Sequence, residues 1–298
     1  MAERENDKIK NMKDRATLRY LFALTLYGTI GLFLHFIVYS SEFVVLCRGV
    51  FGSLFIFTAL MLRKEKIDVE AIKKNLLTMI VSGMCLGFNW VCLFEGYRYG
   101  MAVASLCNYM APIIVVVITA VFYKERINVK QVMCVIVAFT GMILLTGIFE
   151  AEDITDLRSA IYGSLAALGF VVLVLCNRRL KDIKALEKTL IQLIFSAIIV
   201  FPYVYFNSGF PKQFDLLSVI FVMILGFVHT GLAYIFYFTS IDTLPAHSLA
   251  VLGCLEPVMN LLIGGLIFRE KISLAGIIGA ALILLASVGN EVFADRRQ

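Results

Sequence analysis

The sequence has little charge and lacks the motifs that mark common soluble enzymes. Charged residues make up 16% of its 298 residues, whereas a soluble domain carries about 25%. No phosphate-binding loop, HExxH zinc motif or GxSxG nucleophile motif occurs, and no segment between the apolar runs could hold a nucleotide-binding domain. The sequence therefore predicts a non-enzyme with no catalytic residues, no metal site, no cofactor and no direct use of ATP.

The cysteines do not indicate a disulfide or a metal site. The seven cysteines all fall inside apolar runs and form no Cys-x-x-Cys pair. We interpret them as small apolar residues rather than as disulfide partners or metal ligands.

The sequence is rich in apolar residues, and these form long uninterrupted runs. Apolar residues make up 60% of the chain, and they are grouped in runs near the ~20 residues that cross about 30 Å of hydrocarbon. We predict ten spans, or eight or nine if the weaker spans 1 and 6 do not cross. The polar segment 1–17 has no apolar core and is predicted to be a cytoplasmic N-terminal segment rather than a signal peptide. The predicted spans 1 to 10 cover residues 18–37, 43–62, 76–95, 101–123, 129–149, 159–177, 187–206, 217–240, 246–268 and 272–292.

One motif occurs twice, 145 residues apart. Residues 112–128 read PIIVVVITAVFYKERIN, and residues 257–273 read PVMNLLIGGLIFREKIS. Both copies begin with proline (Pro112 and Pro257), continue through apolar residues and end in a basic–acidic–basic triplet. Proline interrupts a helix because it lacks the backbone N–H. Matching prolines in two spans therefore predict a duplicated membrane protein, with repeats at 18–149 and 157–292.

The basic residues predict how the chain crosses the membrane. If the N-terminus is cytoplasmic, 21 Lys and Arg fall in the inner segments and five in the outer ones. The positive-inside rule then places both termini in the cytoplasm. The net charge of +5 reflects this topology and gives no case for nucleic-acid binding. Because five spans is an odd number, the second repeat is predicted to be inverted. The fold class is an all-α integral membrane protein with ten transmembrane helices as two inverted five-helix repeats.

These motifs resemble those of the EamA-type family of the drug/metabolite transporter superfamily, over nearly the whole chain. The resemblance is carried by the duplicated ends of spans 4–5 and 9–10 and by the pair Glu256-Pro257. It is carried also by Arg48 and by the stretch LFEGYRYGMAVASLCNYMAP at 93–112. It implies a ten-helix carrier with a central substrate cavity that moves small metabolites, often out of the cell. It does not specify a substrate.

Glu256 is the principal site candidate. It lies near the middle of span 9, where an ionisable group is costly and usually faces a cavity or a partner. One interpretation is a site that holds a proton or a cationic group and alternates its exposure. The other is a neutral carboxyl that is hydrogen-bonded between helices for packing. The first repeat has Ala111 at the matching position, which favours one charged site rather than two.

Further polar and aromatic side chains in the spans suit a mostly apolar cavity with a few placed polar groups. His229 can relay protons or simply join two helices by a hydrogen bond, and the tyrosines can equally be anchors at the membrane interface. The candidates for substrate binding or coupling are Glu256, His229, Asn89, Trp90, Asn108, Tyr109, Tyr234, Tyr237 and Asn260.

Arg48 and Glu95 are predicted to form a pair. Span 2 enters from the outer side and span 3 leaves to it, so both residues lie near the outer end at similar depth. An unpaired arginine is expensive there. We interpret the pair as a structural ion pair or an outer gate, with direct substrate contact as the alternative.

The sequence thus predicts a secondary transporter that works by alternating access, with a small-molecule substrate and the lipid bilayer as its partners. The leading hypothesis is export of an amino acid or related metabolite across a cell membrane, with the bacterial inner membrane favoured by the compact design. The same-class alternative is uptake of an organic cation such as a quaternary amine. An intramembrane enzyme or a scaffold is the alternative of a different class. A homodimer stays open.

Overall fold

The computed structural model of the chain describes residues 2–63, 68–124, 128–146, 157–180, 183–267, 269 and 273–295. Within these ranges every regular element is a helix. Two short π-helical segments, Val204–Ser208 and Phe227–Leu232, follow α9 and α10. The α-helices are α1 (Ala2–Gly28), α2 (Ile30–Leu34), α3 (Ser41–Arg63), α4 (Val69–Tyr99), α5 (Met101–Asn108), α6 (Ala111–Phe122), α7 (Val129–Leu145), α8 (Leu157–Arg179), α9 (Ala185–Tyr203), α10 (Leu216–Gly226), α11 (Ala233–Ile241), α12 (Ala246–Gly253), α13 (Leu255–Leu266) and α14 (Leu274–Asp295).

Ten helical segments match the ten predicted spans in order. Two of them, Val129–Leu145 and Leu274–Asn290, are apolar but short, and they are the fifth span of each repeat. Spans 1 and 6, predicted to be the weakest, are both long and apolar enough to cross a membrane. The predicted fold class of an all-α membrane protein with two inverted five-helix repeats is confirmed. The eight segments of spanning length and composition are Asn11–Leu34, Ser41–Leu62, Val69–Tyr99, Val103–Phe122, Leu157–Arg179, Ala185–Ser208, Leu216–Ile241 and Ala246–Ile263.

The fourth span of each repeat is broken at the same place. The first break separates α5 from α6, and the second separates α12 from α13, 145 residues later. A proline ring clashes with the carbonyl four residues before it, and Pro112 and Pro257 stand four residues after the ends of α5 and α12. The break residues have nearly the same backbone angles, with φ −69° and ψ −6° at Tyr109 and φ −67° and ψ −7° at Cys254.

The duplication extends to the start of the fifth span. Among the described non-glycine residues, only Lys124 (φ 54°) and Arg269 (φ 55°) have positive φ, and they too are 145 residues apart. Each precedes a capped helix, because Asn128 accepts from the N–H of Gln131 at 2.8 Å and Ser273 from that of Gly276 at 3.1 Å. Both repeats therefore use the same turn and the same type of cap to enter α7 and α14.

Polar side chains join the central helices. Gln192 in α9 donates to the Ser82 hydroxyl of α4 at 2.8 Å and to the Asn177 side-chain oxygen of α8 at 3.2 Å. All three residues are fully buried. Hydrogen bonds of this kind hold helices together in lipid, where apolar side chains gain nothing by leaving an apolar solvent.

Helices α7 and α14 approach each other through glycine. A Cβ atom built on Gly279 would lie 2.4 Å from the Gly141 carbonyl oxygen, which is closer than non-bonded atoms approach. We expect Gly279→Ala to lower the free energy of unfolding by about 1–3 kcal/mol, because the two backbones must separate. Thermal unfolding of the detergent-purified protein measures this.

Gly289→Ala in the same helix is the matched control. A Cβ there would meet its nearest neighbour, the Cys134 sulfur, at an ordinary 3.4 Å. Equal destabilisation by both variants would contradict the role of close packing at Gly279.

Candidate functional site

The helix breaks carry the residues around which the candidate site is built. Glu256 is the second residue of α13, directly after the break in the second repeat, and it is partly buried. Tyr109 lies at the break of the first repeat and interacts electrostatically with the Glu256 carboxyl group. The two breaks therefore meet at one site. The repeats contribute different chemistry there, since Ala111 stands where the second repeat has Glu256.

Six tyrosines lie within electrostatic range of Glu256, and we call them the tyrosine cluster. Each interacts electrostatically with the Glu256 carboxyl group. Several rings also touch each other: Tyr27 lies 5.9 Å from Tyr234 and 5.7 Å from Tyr237, between centroids. The cluster consists of Tyr20, Tyr27, Tyr97, Tyr109, Tyr234 and Tyr237.

Arg48 brings a positive charge to the same site. Its Nε donates to the Thr230 hydroxyl at 3.0 Å, and its guanidinium lies over the Trp90 ring at 5.3 Å from the centroid. Trp90 in turn lies 6.2 Å from Tyr234 of the tyrosine cluster. Arg48 also interacts electrostatically with Glu256. The site therefore holds one basic and one acidic side chain among aromatic rings.

The predicted pair between Arg48 and Glu95 is wrong. Glu95 accepts instead from Arg98, at 3.1 Å, and from the Tyr203 hydroxyl. Depth in the membrane was predicted from span boundaries, but depth does not say which way a side chain points around its helix. Arg48 reaches α4, the helix that carries Glu95, at Trp90. Five residues along a helix turn the side-chain direction by about 140°, so Glu95 points elsewhere.

His229 joins two helices. Its Nε2 lies 2.9 Å from the Thr29 hydroxyl oxygen and its Nδ1 lies 3.5 Å from the Ile224 carbonyl oxygen. The ring is 2% exposed, and its centroid lies 4.8 Å from that of Phe33. This geometry corresponds to the structural interpretation of His229, because both ring nitrogens face partners within the protein.

The two asparagines are brought together as a link between helices. Asn89 in α4 donates to the Asn108 side-chain oxygen at 2.9 Å and to the Ala166 carbonyl oxygen at 2.8 Å. Both donors of the Asn89 amide are thereby used. Asn108 is the last residue of α5, so this bond ties the first-repeat break to α4. The Asn260 side chain lies outside the described part of the chain.

Two members of the tyrosine cluster on α1, Tyr20 and Tyr27, were missed in the sequence. They are seven residues apart and therefore share one face of the helix. That spacing was a usable signal. Tyr97, near the end of α4, was also missed, and no spacing pattern singles it out.

A small pocket adjoins the first-repeat break, and its lining includes Tyr109, Pro112, Phe139 and Cys254. The lining is mostly apolar, as small-molecule sites generally are. Among the described residues, no group of three or more His, Cys, Asp or Glu side chains is placed to hold a metal ion. Arg48, Glu256 and the tyrosine cluster beside this pocket can offer charge, aromatic faces and hydroxyl groups to a small molecule.

Comparisons with known proteins agree with this architecture. The chain is 25% identical over 254 residues to the uncharacterized transporter YxxF of Bacillus subtilis (strain 168). The aligned residues cover 84% of this chain and 81% of that protein. It is 22% identical over 211 residues to protein PecM of Dickeya dadantii (strain 3937), covering 70% of this chain and 71% of PecM. A solved crystal structure superposes with a TM-score of 0.81 at 19% identity, covering 94% of this chain and 98% of the other, and shows the shared fold. The EamA-like transporter family matches twice, at residues 15–147 and 157–290, so this chain belongs to the EamA-like transporter family.

Proposed function

We propose that the protein is a secondary transporter of amino acids or related zwitterionic metabolites, which it exports by alternating access. The observation that carries the proposal is the presence of Arg48 and Glu256 in one aromatic-lined site at the helix breaks. The proposal includes a cell-membrane location with both termini in the cytoplasm, which the 21-to-5 distribution of basic residues supports.

The charges of the site are complementary to a zwitterion. A guanidinium presents several N–H donors to a carboxylate, and a carboxylate accepts from an ammonium group. The Arg48 Nε donates to Thr230, and the terminal guanidinium nitrogens make no hydrogen bond to the described residues. Those nitrogens are therefore suited to the substrate carboxylate, while Glu256 is suited to the substrate ammonium. A zwitterion also adds no net charge to a site in hydrocarbon, where net charge is costly.

Alternating access follows from the inverted repeats. Two five-helix units of opposite orientation can exchange conformations, so that a site between them opens first to one side and then to the other. The broken spans α5–α6 and α12–α13 meet at the site, which is where discontinuous helices bind substrates in transporters of this design. Export rather than import rests on the resemblance to the family.

Uptake of an organic cation is the second candidate. The tyrosine cluster and Glu256 offer aromatic faces and a negative charge, which recognise quaternary amines. However, the face of Trp90 that would serve best already has the Arg48 guanidinium over it, at 5.3 Å from the centroid. A cation would also meet the positive charge of Arg48. The geometry therefore favours the zwitterion.

A thermal-shift comparison of matched ligands separates the two candidates. Each amino acid in a panel is tested beside the amine that lacks its carboxylate and the acid that lacks its amino group. A ligand present at about 100 times its Kd stabilises the folded protein by about 2.7 kcal/mol. We expect the Tm to rise with at least one amino acid and with neither of its two analogues.

An equal rise with the amine alone would contradict the zwitterion and support the cation. A rise with neither amino acids nor amines would contradict both. For the ligand that binds, flux into proteoliposomes then tests transport itself.

A further inference from the structure

The Tyr27 hydroxyl group is buried and has no hydrogen-bond partner among the described residues. Its ring is held in place by the rings of Tyr234 and Tyr237, at 5.9 and 5.7 Å between centroids. Buried hydroxyl groups in folded proteins almost always have a partner, and each exception needs an explanation. A phenol group that is fixed and unpaired inside a binding site indicates that the ligand supplies the missing partner.

Other tyrosine hydroxyls of the chain do form hydrogen bonds within the protein. Tyr20 lies two turns earlier on the same helix, and its hydroxyl donates to the Leu249 carbonyl oxygen at 3.1 Å. The Tyr39 hydroxyl donates to the Asp215 carbonyl oxygen at 3.2 Å and accepts from the Asp215 N–H at 3.0 Å. These hydroxyls join helices. Tyr27 makes no such bond within the described structure.

The position of Tyr27 is fixed against the second-repeat break. A Cβ built on the next residue, Gly28, would lie 2.3 Å from the Met259 Cβ and 3.3 Å from the Glu256 carbonyl oxygen. Helix α1 therefore packs closely against helix α13 beside Tyr27, with no space for a side chain at Gly28. The Tyr27 hydroxyl also interacts electrostatically with both charged groups of the site, Glu256 and Arg48.

We propose that the Tyr27 hydroxyl donates a hydrogen bond to the substrate carboxylate that Arg48 binds. The inference rests on the proposed zwitterion site and names a third residue that recognises the ligand. A phenol O–H makes its strongest hydrogen bond to a charged acceptor. A carboxylate has two oxygens, so it can accept from Arg48 and from Tyr27 at once. Tyr27 then favours ligands with a carboxylate over amines that lack one.

Tyr27→Phe tests the proposal through two measurements. The probe is the amino acid from the panel that raises the wild-type Tm most. We expect its Kd to increase about 10-fold in the variant, because one hydrogen bond to a charged group is lost. We expect the Tm of the ligand-free variant to equal or exceed that of the wild type, because the substitution removes a hydroxyl that is unpaired in the absence of ligand.

Tyr39→Phe is the matched control. It removes a hydroxyl that is bonded within the protein, so it should lower the ligand-free Tm and leave the Kd unchanged. An unchanged Kd in Tyr27→Phe overturns the inference and leaves the proposed function standing. A Tm loss in ligand-free Tyr27→Phe also overturns it, because the hydroxyl would then have a partner in the protein. If the wild type binds amines and no amino acid, the proposed function is contradicted, and the proposed contact between Tyr27 and a substrate carboxylate is contradicted with it.

Discussion

Replacement of Glu256 with glutamine is expected to reduce amino-acid counterflow in proteoliposomes about 30-fold or more, because loss of one member of a buried charge pair costs about 2–5 kcal/mol. Glutamine keeps the size of the side chain and removes the charge that would hold the substrate ammonium. The carboxyl group is also the electrostatic partner of Arg48 and of all six members of the tyrosine cluster. The assay measures exchange of a labelled amino acid identified in the thermal-shift panel.

Glu70→Gln makes the same chemical change at an exposed position in the first turn of α4 and should retain the wild-type rate. Thermal unfolding of both variants shows whether they are folded. A wild-type rate in Glu256→Gln would remove the carboxylate from the proposed mechanism. A transport defect accompanied by loss of folding would instead support the structural interpretation of Glu256.

The spans and the duplication could be predicted because both depend on local features of the sequence. Apolar runs of fixed length mark spans, and a proline in the middle of a span favours a break in the helix there. The breaks before Pro112 and Pro257 accordingly lie where those residues require. The nearly equal positive φ angles at Lys124 and Arg269 were not predicted, because lysine and arginine have no preference for positive φ.

The contacts of the site were harder to predict because they depend on how helices are arranged around each other. Arg48 and Glu95 share a depth, but Arg48 contacts the helix of Glu95 at Trp90, on a different side of that helix, so the predicted partner was wrong. The observed neighbours of Arg48 are Trp90, on the same helix as Glu95, and Thr230, on the eighth span. Tyr27 shares one face of α1 with Tyr20, which the sequence shows. That this face lies beside Glu256 depends on the close packing of α1 against α13 at Gly28, which the sequence does not show.

Loss of the ion pair between Lys188 and Asp242 is expected to cause the largest fall in stability. The Lys188 side chain is 0% exposed, and its Nζ lies 2.5 Å from an Asp242 side-chain oxygen, whose side chain is 22% exposed. Removal of one partner of a buried pair costs about 3–5 kcal/mol, because the remaining charge loses the opposite charge that offset its burial. Asp242→Asn should therefore lower the Tm more than Lys188→Met does. The first leaves a charge in the more deeply buried position, and the second leaves a charge that water can reach.

The double variant Lys188→Met/Asp242→Asn should recover part of this loss, because both charges of the pair are then removed together. Lys184→Met, at the residue directly before α9, is the matched control. Lys184 is 48% exposed and lies 3.9 Å from Glu187, so its loss should cost at most about 1 kcal/mol. If Lys188→Met and Asp242→Asn had equal and small effects, the pair would behave like an exposed one. The end of the bundle where α9 begins and α11 ends would then be open to water, and the charges there would not hold the two helices together.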